Sequence, residues 1–150
     1  MTDRHIPWMQ PESAPARFRE MGVWGNRTIA DIVDDHVRRH PGKTAVIDSR
    51  ERLTYGELGD LSLRLARVLL DHGIGPGDPV AVHLPGCALL PALHLACNRV
   101  GALFLPVSTG WRGAELRSLL GTVRAPMLIV LKDNGNFDYV GLAETLRDGL

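Results

Sequence analysis

The sequence predicts an α/β fold built on a partial, doubly wound and mostly parallel sheet with flanking helices. From residue 56 onward, segments with helical periodicity alternate with short apolar runs at 80–84, 102–107 and 127–131. Apart from His83 these runs are apolar, which is typical of parallel strands covered on both faces. Their alternation with helices indicates the same architecture.

An N-terminal arm is predicted over residues 1–27, and the first α/β part of a larger domain over residues 28–150. Three prolines argue against a helix in the arm: Pro7, Pro11 and Pro15. Its apolar anchors are Trp8, Phe18 and Trp24. We expect the arm to lie on the surface of a larger protein. The alternative is a disordered terminus.

Between the arm and the sheet, the sequence predicts one helix and a small hairpin. Thr28 is a good N-cap with Asp31 three residues on, and apolar residues at helical spacing follow over 29–39. Short apolar runs at 45–47 and 53–55 flank a polar turn. We therefore expect those two runs to pair as a hairpin.

Each later element is bounded by a recognisable signal. A helix over 56–72 ends at Gly73, and a Gly/Pro loop leads into the strand over 80–84. The next helix takes Pro91 in its first turn and ends before Gly101. The alternation continues with a strand over 102–107, a helix over 113–123, a strand over 127–131 and a helix over 140–148.

Composition excludes several classes of protein. Hydrophobic residues make up 45% of the 150 residues and charged residues 23%, which is typical of a globular domain and not of a disordered one. The 17 basic and 17 acidic residues cancel, so the chain lacks the basic field of a nucleic-acid binder. We find no apolar run of about 18 residues and no signal peptide, so we expect no membrane span and a cytoplasmic location.

The residues show no complete catalytic constellation, phosphate cradle or metal site. The glycines at 73, 75 and 77 leave a helix and enter a strand, whereas a phosphate loop leaves a strand and opens a helix. Residues 133–144 have the length of a calcium loop but break its pattern at Gly135 and Asp138. We expect Cys87 and Cys97, ten residues apart, to be buried reduced thiols.

Two further polar features favour structural interpretations. His83 and His94 lack a nucleophile in a GxSxG elbow beside them, so we expect both to be wall or core residues. Asp34 and Asp35 are adjacent on a helix and point apart, so we expect them to form a solvated face.

Short blocks in order and with sensible spacing carry a family resemblance. They are 41–46 (PGKTAV), 54–58 (TYGEL), 65–69 (LARVL), 73–82 (GIGPGDPVAV), 95–102 (LACNRVGA), 105–107 (LPV) and 113–116 (GAEL). Together they resemble the N-terminal part of an adenylate-forming enzyme, the family of acyl-CoA synthetases, peptide-synthetase adenylation domains and luciferases. The resemblance implies the N-terminal subdomain of an acyl-CoA synthetase-like large domain.

The resemblance implies a two-step reaction that uses ATP, Mg²⁺ and either CoA or a carrier phosphopantetheine as thiol acceptor. It also implies a Ser/Thr/Gly-rich loop ending in Pro-Lys, a ribose-holding Asp and a C-terminal lysine, none of which occurs in this sequence. We therefore expect no catalytic residue and no metal site in this chain, and no activity from it alone. Its expected partners are the small carboxylic acid, ATP, CoA and the remaining part of the enzyme, and whether it forms a homodimer stays open.

The resemblance also implies one ligand-facing segment. In relatives that use CoA, the turn after the fourth strand borders the pantetheine tunnel, and here it consists of Ser108, Thr109, Gly110 and Trp111. Some relatives place an arginine after the next strand to meet the CoA phosphates, whereas this chain has Asn134-Gly135-Asn136 there, with only Lys132 nearby. This departure puts phosphate binding by that loop in doubt.

The segments 111–116 and 137–139 resemble the branch of the family that acts on cyclic, aryl or bulky acids. Three alternatives to a CoA ligase stay open: an acid–AMP ligase that loads a carrier protein, a truncated non-catalytic binding module, and an unrelated nucleotide-binding α/β domain. We expect the chain to be a fragment, one chain of a split enzyme, or a degenerate homologue.

Overall fold

The computed structural model describes residues 13–132 and 137–147. Their helices and strands follow the predicted order, with an additional helix at the start. In chain order they are α1 (Ser13–Glu20), α2 (Ile29–Arg39), β1 (Thr44–Ile47), β2 (Arg52–Thr54), α3 (Tyr55–Asp71), β3 (Pro79–His83), α4 (Leu89–Val100), β4 (Leu103–Pro106), α5 (Gly113–Val123), β5 (Met127–Val130) and α6 (Tyr139–Arg147).

The main sheet has the strand order β4–β3–β5, and both pairings are parallel. Val82 pairs with Pro106 on one side of β3, and His83 pairs with Val130 on the other. β1 and β2 form a separate antiparallel pair, in which Ile47 lies opposite Arg52. The predicted α/β fold and the hairpin are therefore confirmed.

Helices cover both faces of the sheet because successive side chains of β3 point to opposite sides. Val80 and Val82 pack in a core with Leu69 of α3 and Leu93 of α4. Ala81, between them, belongs to a second core with Leu116 of α5 and Leu146 of α6. This doubly wound arrangement buries all five residues of β3.

The predicted N-cap of α2 is confirmed in atomic detail. The Thr28 hydroxyl accepts a hydrogen bond from the Asp31 backbone N–H at 3.2 Å, and the Asp31 carboxylate accepts one from the Thr28 N–H at 2.7 Å. The Thr28 N–H and the Thr28 hydroxyl both donate to the Asp31 carboxylate and hold the pKa of Asp31 below its ordinary value. Thr54 and Glu57 repeat the arrangement at the start of α3.

The prediction that residues 1–27 contain no helix is wrong, because α1 occupies Ser13–Glu20. Pro15 falls within its first turn, where a helical residue has no intrahelical partner for its N–H and proline is tolerated. The chain then folds back on α1, since the backbone N–H groups of Val23 and Trp24 both donate to the Phe18 carbonyl at 3.0 and 3.1 Å. Pro7, Trp8 and Pro11 lie outside the described residues.

Asp34 and Asp35 do not form a simple solvated face. Asp34 accepts two hydrogen bonds from the Arg99 guanidinium of α4, at 2.5 and 2.8 Å. Asp35 pairs with Arg27 and Arg38. The prediction failed because Arg99 lies 65 positions further along the chain and no local pattern links it to α2.

The two cysteines are free, and they differ in burial. Cys97 is fully buried as predicted, and burial raises the pKa of its thiol to about 11. Cys87 is only half-buried, contrary to the prediction, because it lies in the loop before α4. Across 13–132 and 137–147, no helix is both long enough and apolar enough to cross a bilayer.

Candidate functional site at the carboxyl edge of the sheet

The candidate site lies where the three parallel strands end. In open α/β sheets, ligands bind beyond the carboxyl ends of the strands. β3 ends at His83, the turn 108–111 follows β4, and Phe137 and Tyr139 follow β5. The hydrogen bond from Val107 N–H to the Val82 carbonyl, 2.9 Å, extends the ladder to the start of the turn.

The turn predicted as the ligand-facing segment contains two internal hydrogen bonds. The Trp111 N–H donates to the Ser108 carbonyl at 3.1 Å, and the Gly110 N–H donates to the Ser108 hydroxyl at 3.3 Å. Ser108 and Gly110 are exposed and Thr109 is half-buried. Trp111 keeps 40% of its surface exposed, so within the described chain its indole is available as a wall.

Gly110 has an ordinary backbone conformation. It is absent from the glycines with positive φ, and a Cβ built on it meets only the Ser108 hydroxyl oxygen, at an ordinary 3.6 Å. The turn therefore does not need glycine for its own conformation.

Arg112 fastens the turn to the segment after β5. Its Nη1 donates to the carbonyl of Thr109 at 2.6 Å and to that of Trp111 at 2.9 Å. Its guanidinium carbon lies 4.1 Å from the centre of the Phe137 ring, within cation–π distance. Sequence reasoning had singled out 111–116 and 137–139 separately, and the structure places them in contact.

An aromatic run continues from Phe137 into the core. Its ring centre lies 4.8 Å from that of Tyr139, and the Tyr139 ring lies 5.2 Å from that of His83, edge to face in both pairs. His83 is 1% exposed and Tyr139 6%. His83 is therefore the core residue that the sequence predicted.

The electrostatics of His83 favour a neutral ring. Burial has the largest effect and lowers the pKa of His83. The Ser108 backbone raises this pKa by a smaller amount, and the positive charge of Arg112 lowers it. Within the described ranges, neither ring nitrogen has a hydrogen-bond partner. His94 differs from His83, because it is exposed on α4 and stacks on Phe104 with ring centres 4.7 Å apart.

Residues 133–136, where relatives place an arginine, lie outside the described part of the chain. Among the residues that the structure does describe, no group of three or more His, Cys, Asp or Glu side chains could hold a metal ion. The described residues thus place a guanidinium, an indole and a turn at this edge of the sheet.

Comparisons with known proteins identify the family of the chain. Residues 33–148 match the model of the family described as AMP-binding enzyme. The chain is 35% identical to triostin synthetase I of Streptomyces triostinicus over 97% of its length, and 36% identical to the salicyl-AMP ligase / salicyl-S-ArCP synthetase of Mycobacterium tuberculosis over 91%. These alignments cover 27% and 25% of the two relatives, so the chain spans about a quarter of their length.

A solved structure gives the same result. The apo structure of MbtA from Mycobacterium smegmatis superposes with a TM-score of 0.76 at 30% identity, covering 93% of this chain and 25% of that one. Because the family model matches well over half of the residues, this chain belongs to the AMP-binding enzyme family.

Proposed function

We propose that the chain is part of an ATP-dependent carboxylic acid ligase that forms an acyl-adenylate and then an acyl-CoA thioester. The observation that carries the proposal is its match to acid-activating relatives along nearly its whole length. One of them, from Streptomyces sp, is named salicylyl-CoA synthase / salicylate adenylyltransferase and is 34% identical over 95% of this chain and 26% of its own length.

The substrate that we propose is a cyclic, aryl or bulky acid. Salicylate occurs in the names of two relatives, and a naphthoate in the name of a third. The contact between Arg112 and Phe137 supports the same choice, because it joins the two segments in which this chain resembles that branch.

The reaction has two steps. A carboxylate oxygen attacks the α-phosphate of ATP and releases pyrophosphate, and a thiol sulfur then attacks the acyl carbonyl and releases AMP. Because the described residues provide neither a cluster for Mg²⁺ nor a phosphate cradle, we assign ATP and Mg²⁺ to the remaining part of the enzyme.

In this proposal the turn of Ser108, Thr109, Gly110 and Trp111 borders the path of the thiol acceptor. Gly110 leaves room for a pantetheine arm, since a Cβ there meets only one atom of the described chain. The half-exposed Trp111 indole forms a flat apolar wall beside it. Arg112 holds the carbonyls of Thr109 and Trp111 in place.

A carrier protein is the second candidate acceptor. The Mycobacterium tuberculosis relative is named for a salicyl-S-ArCP product as well as for salicyl-AMP, and another relative is enterobactin synthase component F. Purified enzyme should be given CoA and a phosphopantetheinylated carrier in separate reactions. Thioester with the carrier alone would overturn the CoA assignment.

The turn is tested by Gly110→Val in the full-length enzyme. Since the fold has space for a Cβ here, we expect acid-dependent ATP–pyrophosphate exchange to be kept while thioester formation slows by about tenfold to a hundredfold. The matched control is Gly75→Val, at a glycine with open space before β3. Equal loss in both half-reactions would indicate damage to the fold, and loss in neither would refute the role of the turn.

A further inference from the structure

A buried imidazole lies at the carboxyl end of the central strand. His83 is 1% exposed, and within 13–132 and 137–147 neither of its ring nitrogens makes a hydrogen bond. A buried polar group without a partner costs free energy, so native proteins seldom keep one without a reason. Leucine fills a similar volume without that cost. The polar atoms of this ring therefore need an explanation.

The strand geometry directs the ring toward the segment that follows β4. His83 lies on the face of β3 that α5 and α6 cover, as its edge-to-face contact with Tyr139 of α6 shows. Between the strands, the Val107 N–H donates to the Val82 carbonyl at 2.9 Å. His83 and Ser108 come directly after these two residues. The ladder therefore brings the ring beside the first residue of the turn 108–111.

The Ser108 carbonyl can accept a second hydrogen bond, from this ring. It already accepts the Trp111 N–H at 3.1 Å, and a carbonyl oxygen has two lone pairs. The Ser108 backbone raises the pKa of His83, as an acceptor close to the ring does, although the two groups are not hydrogen-bonded here. Hydrogen bonds in a functional site are often long in the free protein and shorten when the ligand binds.

We propose that His83 is a positioning residue for thioester formation, and that its ring N–H donates to the Ser108 carbonyl when the acceptor lies along the turn. The turn 108–111 is then held by His83 at its start and by Arg112, which donates to two of its carbonyls. The inference rests on the proposed function, in which this turn borders the path of the thiol acceptor. Because His83 is buried, it acts through the turn and is not a catalytic residue.

Variants of His83 in the full-length enzyme test this role, with CoA as the acceptor. His83→Leu has no donor, so we expect acid-dependent ATP–pyrophosphate exchange to be kept while the KM for CoA rises about threefold to tenfold. His83→Asn and His83→Gln each keep an N–H at the place of one ring nitrogen, and one of the two should restore the KM. His94→Leu, at an exposed histidine on α4, is the matched control and should change neither half-reaction.

An unchanged KM for CoA in His83→Leu, or a raised KM that neither amide variant restores, overturns the inference. A purely structural histidine instead predicts that His83→Leu is at least as stable as the wild type and kinetically unchanged, since it removes a buried polar group without a partner. If His83→Leu also loses exchange, the amide variants decide: unequal KM values support the role and equal values refute it. A wild-type enzyme without exchange or without CoA thioester refutes the proposed function itself, and the inference falls with it.

Discussion

The guanidinium carbon of Arg112 lies 4.1 Å from the centre of the Phe137 ring. Phe137 contacts Tyr139, and Tyr139 contacts His83 at the end of β3. One run of contacts therefore joins the last residue of β3 to the segments that follow β4 and β5. The carboxyl edge of the sheet is held together by side chains as well as by its hydrogen-bonded ladder.

Replacement of Arg112 should loosen this edge. Arg112→Ala removes two hydrogen bonds to the turn and the contact with Phe137, and we expect the free energy of unfolding in urea to fall by about 1 kcal/mol. Arg117→Ala, at an exposed position on the same helix, should cost less than about 0.5 kcal/mol. Equal losses in the two variants would contradict a role for the Arg112 contacts.

Arg99 and Asp34 tie α4 to α2, and breaking this pair should be costly. The Arg99 side chain is 13% exposed and that of Asp34 33%, so Asp34→Ala leaves a mostly buried cation without its carboxylate. We expect a loss of about 2 kcal/mol in the free energy of unfolding, reduced from the fully buried case by the exposure of Asp34.

The surface pair of Arg67 and Asp71 provides the control. Its side chains are 77% and 53% exposed, and Asp71→Ala should change stability by less than about 0.5 kcal/mol. Asp34→Leu combined with Arg99→Met should recover part of the loss, because the unpaired charge is then removed. If the double variant is as unstable as Asp34→Ala, the cost does not come from the unpaired guanidinium.

Two glycines at loop positions should respond differently to alanine. Gly101 has a φ of +74°, and a Cβ on it would lie 3.3 Å from Cα of Pro76. Gly101→Ala should therefore lower the free energy of unfolding by about 1–2 kcal/mol, whereas Gly110→Ala should be close to neutral. Thermal or urea unfolding of both variants checks this contrast, and equal effects would contradict it.

The sequence was sufficient for local features. The capping pair of Thr28 and Asp31, the first-turn Pro91 and the glycine after α4 each depend on residues within a few positions, and the structure has all of them. The buried β3 was predictable for the same reason, since the apolar residues that precede His83 can be recognised without a distant partner.

Contacts between distant segments were not predictable in this way. Arg99 meets Asp34 across 65 positions, and the ring of Tyr139 meets His83 across 56. Each contact depends on which helix packs on which face of the sheet, and the residue types alone do not specify this. The helix α1 was missed because three prolines were taken to exclude a helix. Pro15 lies in the first turn of α1, where proline is acceptable.

The buried His83 should make stability depend on pH in a defined range. Its pKa in the folded state lies below its ordinary value of 6.5, first because of burial. As the pH falls through about 6.5, the unfolded chain takes up a proton at this residue, whereas the folded chain takes it up only at a lower pH. The unfolded state then binds more protons, so this contribution to the free energy of unfolding is present above that pH and is lost below it.

We expect part of this slope to belong to His83. Urea unfolding between about pH 7.5 and 5.5 should show the free energy of unfolding falling more steeply with pH in the wild type than in His83→Gln, and one proton limits the difference to at most about 1.4 kcal/mol per pH unit. The carboxyl of Asp34, whose pKa is lowered chiefly by its hydrogen bonds with Arg99, titrates below this range and leaves the comparison unaffected. Parallel profiles for wild type and His83→Gln would mean that the folded protein protonates this ring as readily as the unfolded chain does.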